Sequence, residues 1–125
     1  MKYKLTVSEK QAKVISFALD FYSRISGGQF DEIFYRFIWK NINDDERSKV
    51  REMLNELKFV LTGLKPNQPN MGLGKICEDG KIAYDLHQVI RHQLAKDNPN
   101  EPPYSIDLDP PMKYSKEIPA KIEPL

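Results

Sequence analysis

The chain has 125 residues, 40% of them hydrophobic and 30% charged, with a formal net charge of +1. That length suits one domain with a modest core, and the near-neutral balance weighs against a surface built chiefly to hold phosphates. A single cysteine, Cys77, excludes an intrachain disulfide and a cysteine-based zinc cluster, and it suits a reducing, cytoplasmic setting. The start, MKYKLTVSEK, lacks the apolar stretch of a secretory signal, and no apolar run approaches the roughly 20 residues that cross a bilayer.

Tyr3, Leu5 and Val7 alternate with Lys2, Lys4 and Thr6, the period of a short strand. Ser8 followed by Gln11 is a capping-box pattern and predicts a helix to about Ser26, ended by Gly27 and Gly28. Its predicted buried stripe is Val14, Ile15, Ala18, Leu19, Tyr22 and Ile25. The next segment, QFDEIFYRFIWK, predicts a second, short helix from about Phe30 to Ile38, with Asp31 and Glu32 suited to its N-terminus. Apolar residues nearly surround it. Core is the plainer reading, and an interface through Phe34, Phe37 and Trp39 is the sharper one.

Asn43 with Glu46 opens a third helix, predicted for Asp44 to Leu61 with Val50, Met53, Leu54, Leu57, Val60 and Leu61 on one side and Gly63 as its stop. LKPNQPNMGLGKI then reads as a loop. Its GLG triplet has neither the third glycine nor the preceding strand of a dinucleotide site. A fourth helix runs from Glu78 or Asp79 to Asp97. The remainder holds seven of the nine prolines and predicts an extended arm, with one short strand near Tyr104–Leu108. The expected fold is therefore mainly α: three to four packed helices over 1–97, and a proline-rich arm over 98–125 packed on the domain or on a partner. A small two-stranded sheet would join the termini. Tyr104, Met112 and Tyr114 are the arm's interface candidates.

The fourth helix, EDGKIAYDLHQVIRHQLAKD, concentrates the candidate chemistry. At about 100 degrees per residue, Ile82, Ala83, Leu86, Val89, Ile90 and Leu94 form one broad face, predicted to turn inward. Tyr84, His87 and Arg91 share a flank at helical spacing, and Asp85, Gln88 and His92 lie on the polar side. A guanidinium fork, an imidazole and a phenol would suit an anion such as a phosphate or carboxylate. The ordinary alternative, a histidine satisfying a carbonyl and an arginine covering apolar surface, is favoured. An acid–base role for His92 with Asp85 suffers from about 10 Å of helical rise between them. Cys77 lies far from either histidine along the helix and reads as a small hydrophobe. His87 and His92 diverge on the helix, and Asp107 and Asp109 read as solvated carboxylates, so no metal or cofactor is expected.

FALDFYSRISGGQFDEI, LNELKFVLTGL and IAYDLHQVIRHQLA, in that order, resemble a group of small bacteriophage and prophage proteins whose role is unknown. The resemblance spans about Leu5 to Ala95 and singles out Tyr22, Arg24, Gln29, Asp31 and Glu32, then Tyr84, Asp85, Gln88, Arg91 and His92. It implies a small cytoplasmic protein of an infected or lysogenic bacterium that binds a host factor or a small anionic ligand.

The resulting expectation is a binding protein, with a homo-oligomer in view, that contacts a host protein or a small anionic ligand without catalysis. A small hydrolase or phosphotransfer enzyme acting on a nucleotide-like substrate is the alternative, and it needs Arg24, Asp31 or Glu32 to meet Arg91 or His92 around one pocket. A nucleic-acid binder built from terminal lysines is a third reading. No membrane partner is expected.

Overall fold

The computed structural model describes residues Met1–Leu125. Four α-helices form: α1 (Glu9–Ser26), α2 (Glu32–Arg36), α3 (Asp44–Thr62) and α4 (Glu78–Asp97). Short 3-10 turns cover Leu73–Lys75 and Ile106–Leu108. No helix is long and apolar enough to cross a membrane.

The helix starts follow from local chemistry. Ser8 accepts from the Gln11 N–H at 3.1 Å while the Gln11 side chain accepts from the Ser8 N–H at 2.9 Å, so two otherwise orphaned donors are satisfied. Asn43 and Glu46 repeat the arrangement at the head of α3. Such a cap is worth about 1 kcal/mol. Gly63 closes α3 at φ 76°, a left-handed conformation that glycine adopts without strain, and its N–H donates to the Phe59 carbonyl at 2.8 Å. α2 is shorter than predicted, because Phe37 leaves the helix into extended backbone. Bulky aromatics favour that region.

No strand forms, which corrects the expected two-stranded sheet. Lys2–Val7 carries no regular structure. In the other proposed strand the Ser105 hydroxyl accepts from the Asp107 N–H at 3.2 Å and starts a 3-10 turn instead. A serine that bonds its own backbone two residues on competes directly with strand pairing.

The principal packing is α1 on α4, running antiparallel: Ser26 lies beside Gly80, and Ser16 beside His87. Small residues allow the close approach. A Cβ on Gly80 would fall 2.9 Å from the Ser26 Cβ and 3.2 Å from Ile76 Cδ1, so this crossing has no room for a side chain. α1 turns Ala12, Ser16, Asp20 and Ser23 inward, and α4 turns Gly80 and Ala83. This corrects the stripe predicted for α1 and part of that for α4, where Ala83 is buried as expected. Val14, Ala18 and Tyr22 of α1 are exposed, and Leu86 and Ile90 of α4 are only half-buried while polar Gln88 is buried.

α3 makes no comparable contact with α1 or α4. Its one buried residue is Lys58, whose ammonium donates to the Gln68 carbonyl at 2.9 Å and the Pro66 carbonyl at 3.5 Å, holding the following loop against the helix. The loop is tied back to α1 by the Met71 N–H donating to the Gly27 carbonyl at 3.0 Å. The buried apolar residues of the chain are Ala12, Phe30, Ile76, Ala83 and Ala95, and no large side chain is fully enclosed. The chain ends meet, since residues 3–9, Ala12 and residues 121–125 line one cleft.

Candidate functional site

The polar row of α4 holds the chain's own C-terminal segment. Arg91 donates through one guanidinium nitrogen to the carbonyls of Ile106, Asp107 and Asp109 at 3.1, 2.8 and 3.3 Å. Its other terminal nitrogen donates to Gln88 Oε1 at 2.6 Å. The same Gln88 oxygen accepts the Met112 N–H at 3.2 Å. The Asp85 carboxylate accepts from the Tyr114 and Ser115 N–H groups at 2.7 and 3.0 Å, and Glu78 accepts from the Lys116 N–H at 2.6 Å. His92 Nδ1 donates to the Asp107 carbonyl at 3.1 Å. Tyr84 meets Tyr114 edge to face at 5.5 Å. Burial, with Tyr114 beside it, pushes the Tyr84 hydroxyl above its usual pKa.

A proline-rich segment forms few bonds within itself, so its backbone groups need outside partners, and these side chains supply them. Among the residues expected to gather around a ligand, Tyr84, Asp85, Gln88, Arg91 and His92 lie together against residues 106–116. His87 points elsewhere, into the α1 contact.

That contact contains the densest charge cluster of the molecule, on Asp20, 8% exposed. Arg24 Nε donates to its two carboxylate oxygens at 3.2 and 3.1 Å, and Arg36 Nη2 donates to Oδ2. The two arginines also meet Glu32, Arg24 at 3.2 Å and Arg36 at 2.6 Å. Two acids and two guanidiniums therefore alternate in a closed ring joining α1 to α2. Burial raises the Asp20 pKa and is the largest single influence, but Arg36, His87 and Arg24 together outweigh it and hold the carboxyl below its usual value. Burial likewise works against the charged form of Arg36, and bonds to Glu32 and Asp20 overcome it.

Ser16, His87 and Asp20 have the composition of a nucleophile relay. Their geometry gives them a different task. His87 Nδ1 lies 2.8 Å from the Ser16 hydroxyl and 3.1 Å from the Ser16 carbonyl. The Ser16 carbonyl shares that ring nitrogen with the hydroxyl, so the nitrogen bridges two groups of one residue. Nε2 looks toward Asp20 Oδ1 at 3.7 Å. Burial lowers the His87 pKa by more than Asp20 raises it, so the ring is neutral at neutral pH. Ser16 itself is buried in the α1–α4 contact.

The structure thus brings Arg24 and Glu32 together with Asp20, Arg36 and His87, and away from Arg91 and His92. Asp31 stands apart, exposed at the head of α2 with no cap bond from its side chain. Asp20, Arg36 and Ser16 were not singled out from sequence. Their signal was the i,i+4 series Ser16, Asp20, Arg24 along α1, together with the i,i+4 pair Glu32 and Arg36. No group of three or more His, Cys, Asp or Glu side chains is placed to hold a metal.

Two other surfaces remain. A cleft of about 180 Å³ lies between α2, α3 and the loop after α3. Phe30, Phe34 and Tyr35 line it on one side and Arg47 and Arg51 on the other, with Asp31 also lining it. The Arg47 guanidinium sits 5.3 Å over the Phe34 ring. The larger surface is apolar. Along α3, Met53, Leu57, Val60 and Leu61 are 59, 44, 72 and 65% exposed. Ile38 and Trp39, 84 and 78% exposed, precede α3, with Trp39 stacked on Phe37 at 5.3 Å. Of the interface candidates, Phe34 is half-buried, while Phe37, Trp39, Tyr104, Met112 and Tyr114 are exposed. Compared with protein-family models, curated proteins and solved structures, the chain finds no match.

Proposed function

We propose that this is a binding protein whose working surface is the apolar outer side of α3 with the aromatic segment before it, and whose partner is a protein. On this reading it acts as an accessory factor of the bacteriophage type, by contact and without catalysis. The observation that carries the proposal is the exposure of the α3 stripe: Met53, Leu57, Val60 and Leu61, toward the C-terminal end of a helix of 19 residues, lie open. Exposed apolar patches of this extent mark interaction sites. The groups that would support an enzyme instead have structural engagements, His87 with Ser16, His92 and Arg91 with backbone carbonyls, and Arg24 with Asp20 and Glu32.

Photo-crosslinking tests this in the producing cell. A benzophenone residue replacing Val60 should form adducts of defined mass with protein, and one replacing Ser48, on the side of α3 away from the stripe, should not. Absence of adducts from both positions, or equal labelling from both, would refute the reading.

A second reading has its own observation. Arg47 and Arg51, one helical turn apart, pair with no carboxylate and line the cleft beside Phe34. That pair suits a small anion, with Asp31 as an opposing charge. Titration with inorganic phosphate should shift the Phe34 and Arg51 resonances together, and Arg51→Gln should abolish the shift; unmoved resonances would dismiss it.

A further inference from the structure

We infer that the cleft between α2, α3 and the following loop is a site for a phosphomonoester carried on a single aromatic ring. The inference rests on the small-anion reading of Arg47 and Arg51 and names the ligand class. The first ground is how the chain uses its five arginines. Arg24 and Arg36 are held by Asp20 and Glu32, and Arg91 by backbone carbonyls and Gln88. The remaining two, Arg47 and Arg51, pair with no carboxylate, and both line this cleft. They stand one turn apart on α3, close enough to grip one group together. The Phe34 ring beneath the Arg47 guanidinium holds it in position.

The second ground is Lys58, which lines the same cleft and is 6% exposed. Its ammonium donates to the Gln68 and Pro66 carbonyls and joins no ion pair. An ammonium carries three donors, and a buried charge is ordinarily matched by an opposite one. The fold supplies Lys58 no carboxylate; an anion seated in the cleft does. Three cations therefore line the cleft, Arg47, Arg51 and Lys58, against one carboxylate, Asp31. The balance of two positive charges matches a phosphomonoester, which carries about −1.5 to −2 at pH 7. Guanidinium forks pair bidentately with its oxygens.

The third ground is the rest of the wall. Phe30, Phe34 and Tyr35 contribute rings, and Pro66 and Pro69 contribute flat apolar faces from the loop. Phe34 and Tyr35 meet edge to face at 5.3 Å, which fixes both rings. Such walls suit an aryl group beside the anion. The volume, about 180 Å³, limits its size. Sites that enclose a drug-sized ligand run to about 300–1,000 Å³, so this one takes a single ring and its phosphoryl group, not a whole nucleotide.

Calorimetric titration of the full chain decides it. Phenyl phosphate should bind about tenfold or more tightly than inorganic phosphate, through the buried ring. Phenyl sulfate, the same shape with one charge, should bind more weakly than phenyl phosphate. Arg51→Gln should weaken phenyl phosphate by about tenfold or more. Lys49→Gln, which removes the same charge from α3 outside the cleft, should leave its affinity within about twofold. Tyr35→Ala should shrink the advantage of phenyl phosphate and leave inorganic phosphate unchanged. A capped phosphotyrosine that binds as well as phenyl phosphate assigns the group to a protein side chain; one that does not bind assigns it to a free molecule. Equal affinities for phenyl phosphate and inorganic phosphate would overturn the inference and leave the small-anion reading standing. Equal losses from Arg51→Gln and Lys49→Gln would overturn it as well, and binding of neither phosphate would remove both readings.

Discussion

Replacing Asp20 by asparagine tests whether the α1–α2 charge ring stabilises the fold. The wild-type carboxylate accepts from Arg24 and Arg36 and is 11% exposed in its side chain, against 16% for Arg36 and 17% for Glu32. Asparagine keeps the shape and removes the charge, leaving two guanidiniums around one carboxylate. Breaking a buried pair costs about 3–5 kcal/mol. Arg24 is 42% exposed, so water screens its share, and the expected loss is about 2–3 kcal/mol. For a chain of this length that lowers the melting temperature by about 10 °C. The pH dependence follows from the lowered carboxyl. Its folded pKa lies below its ordinary 3.8, so its stabilisation is fully present above that value and is lost as pH falls through the folded value. Urea unfolding followed by circular dichroism, at one protein concentration, should show the full gap between variant and wild type at pH 7 and a narrower one as pH falls below the ordinary 3.8. A gap under about 0.5 kcal/mol at pH 7, or one of equal size at pH 3, would refute the reasoning.

Three further outcomes are expected. His87 has a lowered pKa, so its neutral form stabilises the fold above its ordinary 6.5, and this contribution is lost as pH falls below it; His87→Gln should therefore flatten the loss of stability between pH 7 and pH 5, and an unchanged profile would contradict it. Asp85→Ala removes the acceptor of two backbone N–H groups and should raise amide exchange at Tyr114 and Ser115 by about tenfold or more, at about 1 kcal/mol per bond; unchanged exchange would show that the segment is held by other means. Gly80→Ala gains about 1 kcal/mol of helix propensity but forces a methyl to 2.9 Å from the Ser26 Cβ, so thermal melting should show a net loss of about 1 kcal/mol, and a rise would mean the crossing is looser than drawn.

Local chemistry was the legible part of the fold. The pairs Ser8–Gln11 and Asn43–Glu46 and the stop at Gly63 placed helix ends within a residue or two, because caps depend on neighbours in sequence. Hydrophobic period located the helices and named the apolar side of each. It could not say what covers that side, and on α1 it named Val14 and Tyr22 while the contact with α4 uses Ser16 and Asp20. Close helix crossings select small residues, and a hydrophobicity pattern counts those as weak signal. Tyr84, His87 and Arg91 share a helical flank as predicted, yet His87 joins α1 and Arg91 joins a segment about fifteen residues on. Such divisions depend on the path of the chain, which spacing along one helix does not contain. The alternation at Tyr104–Leu108 misled because the Ser105 hydroxyl bonds locally.

The account stands or falls most directly on whether protein covers the open α3 stripe in the producing cell. A benzophenone residue replacing Val60 should form adducts of defined mass with protein, since exposed apolar patches mark interaction sites. No adduct from that position, or equal labelling from position 48, would contradict it.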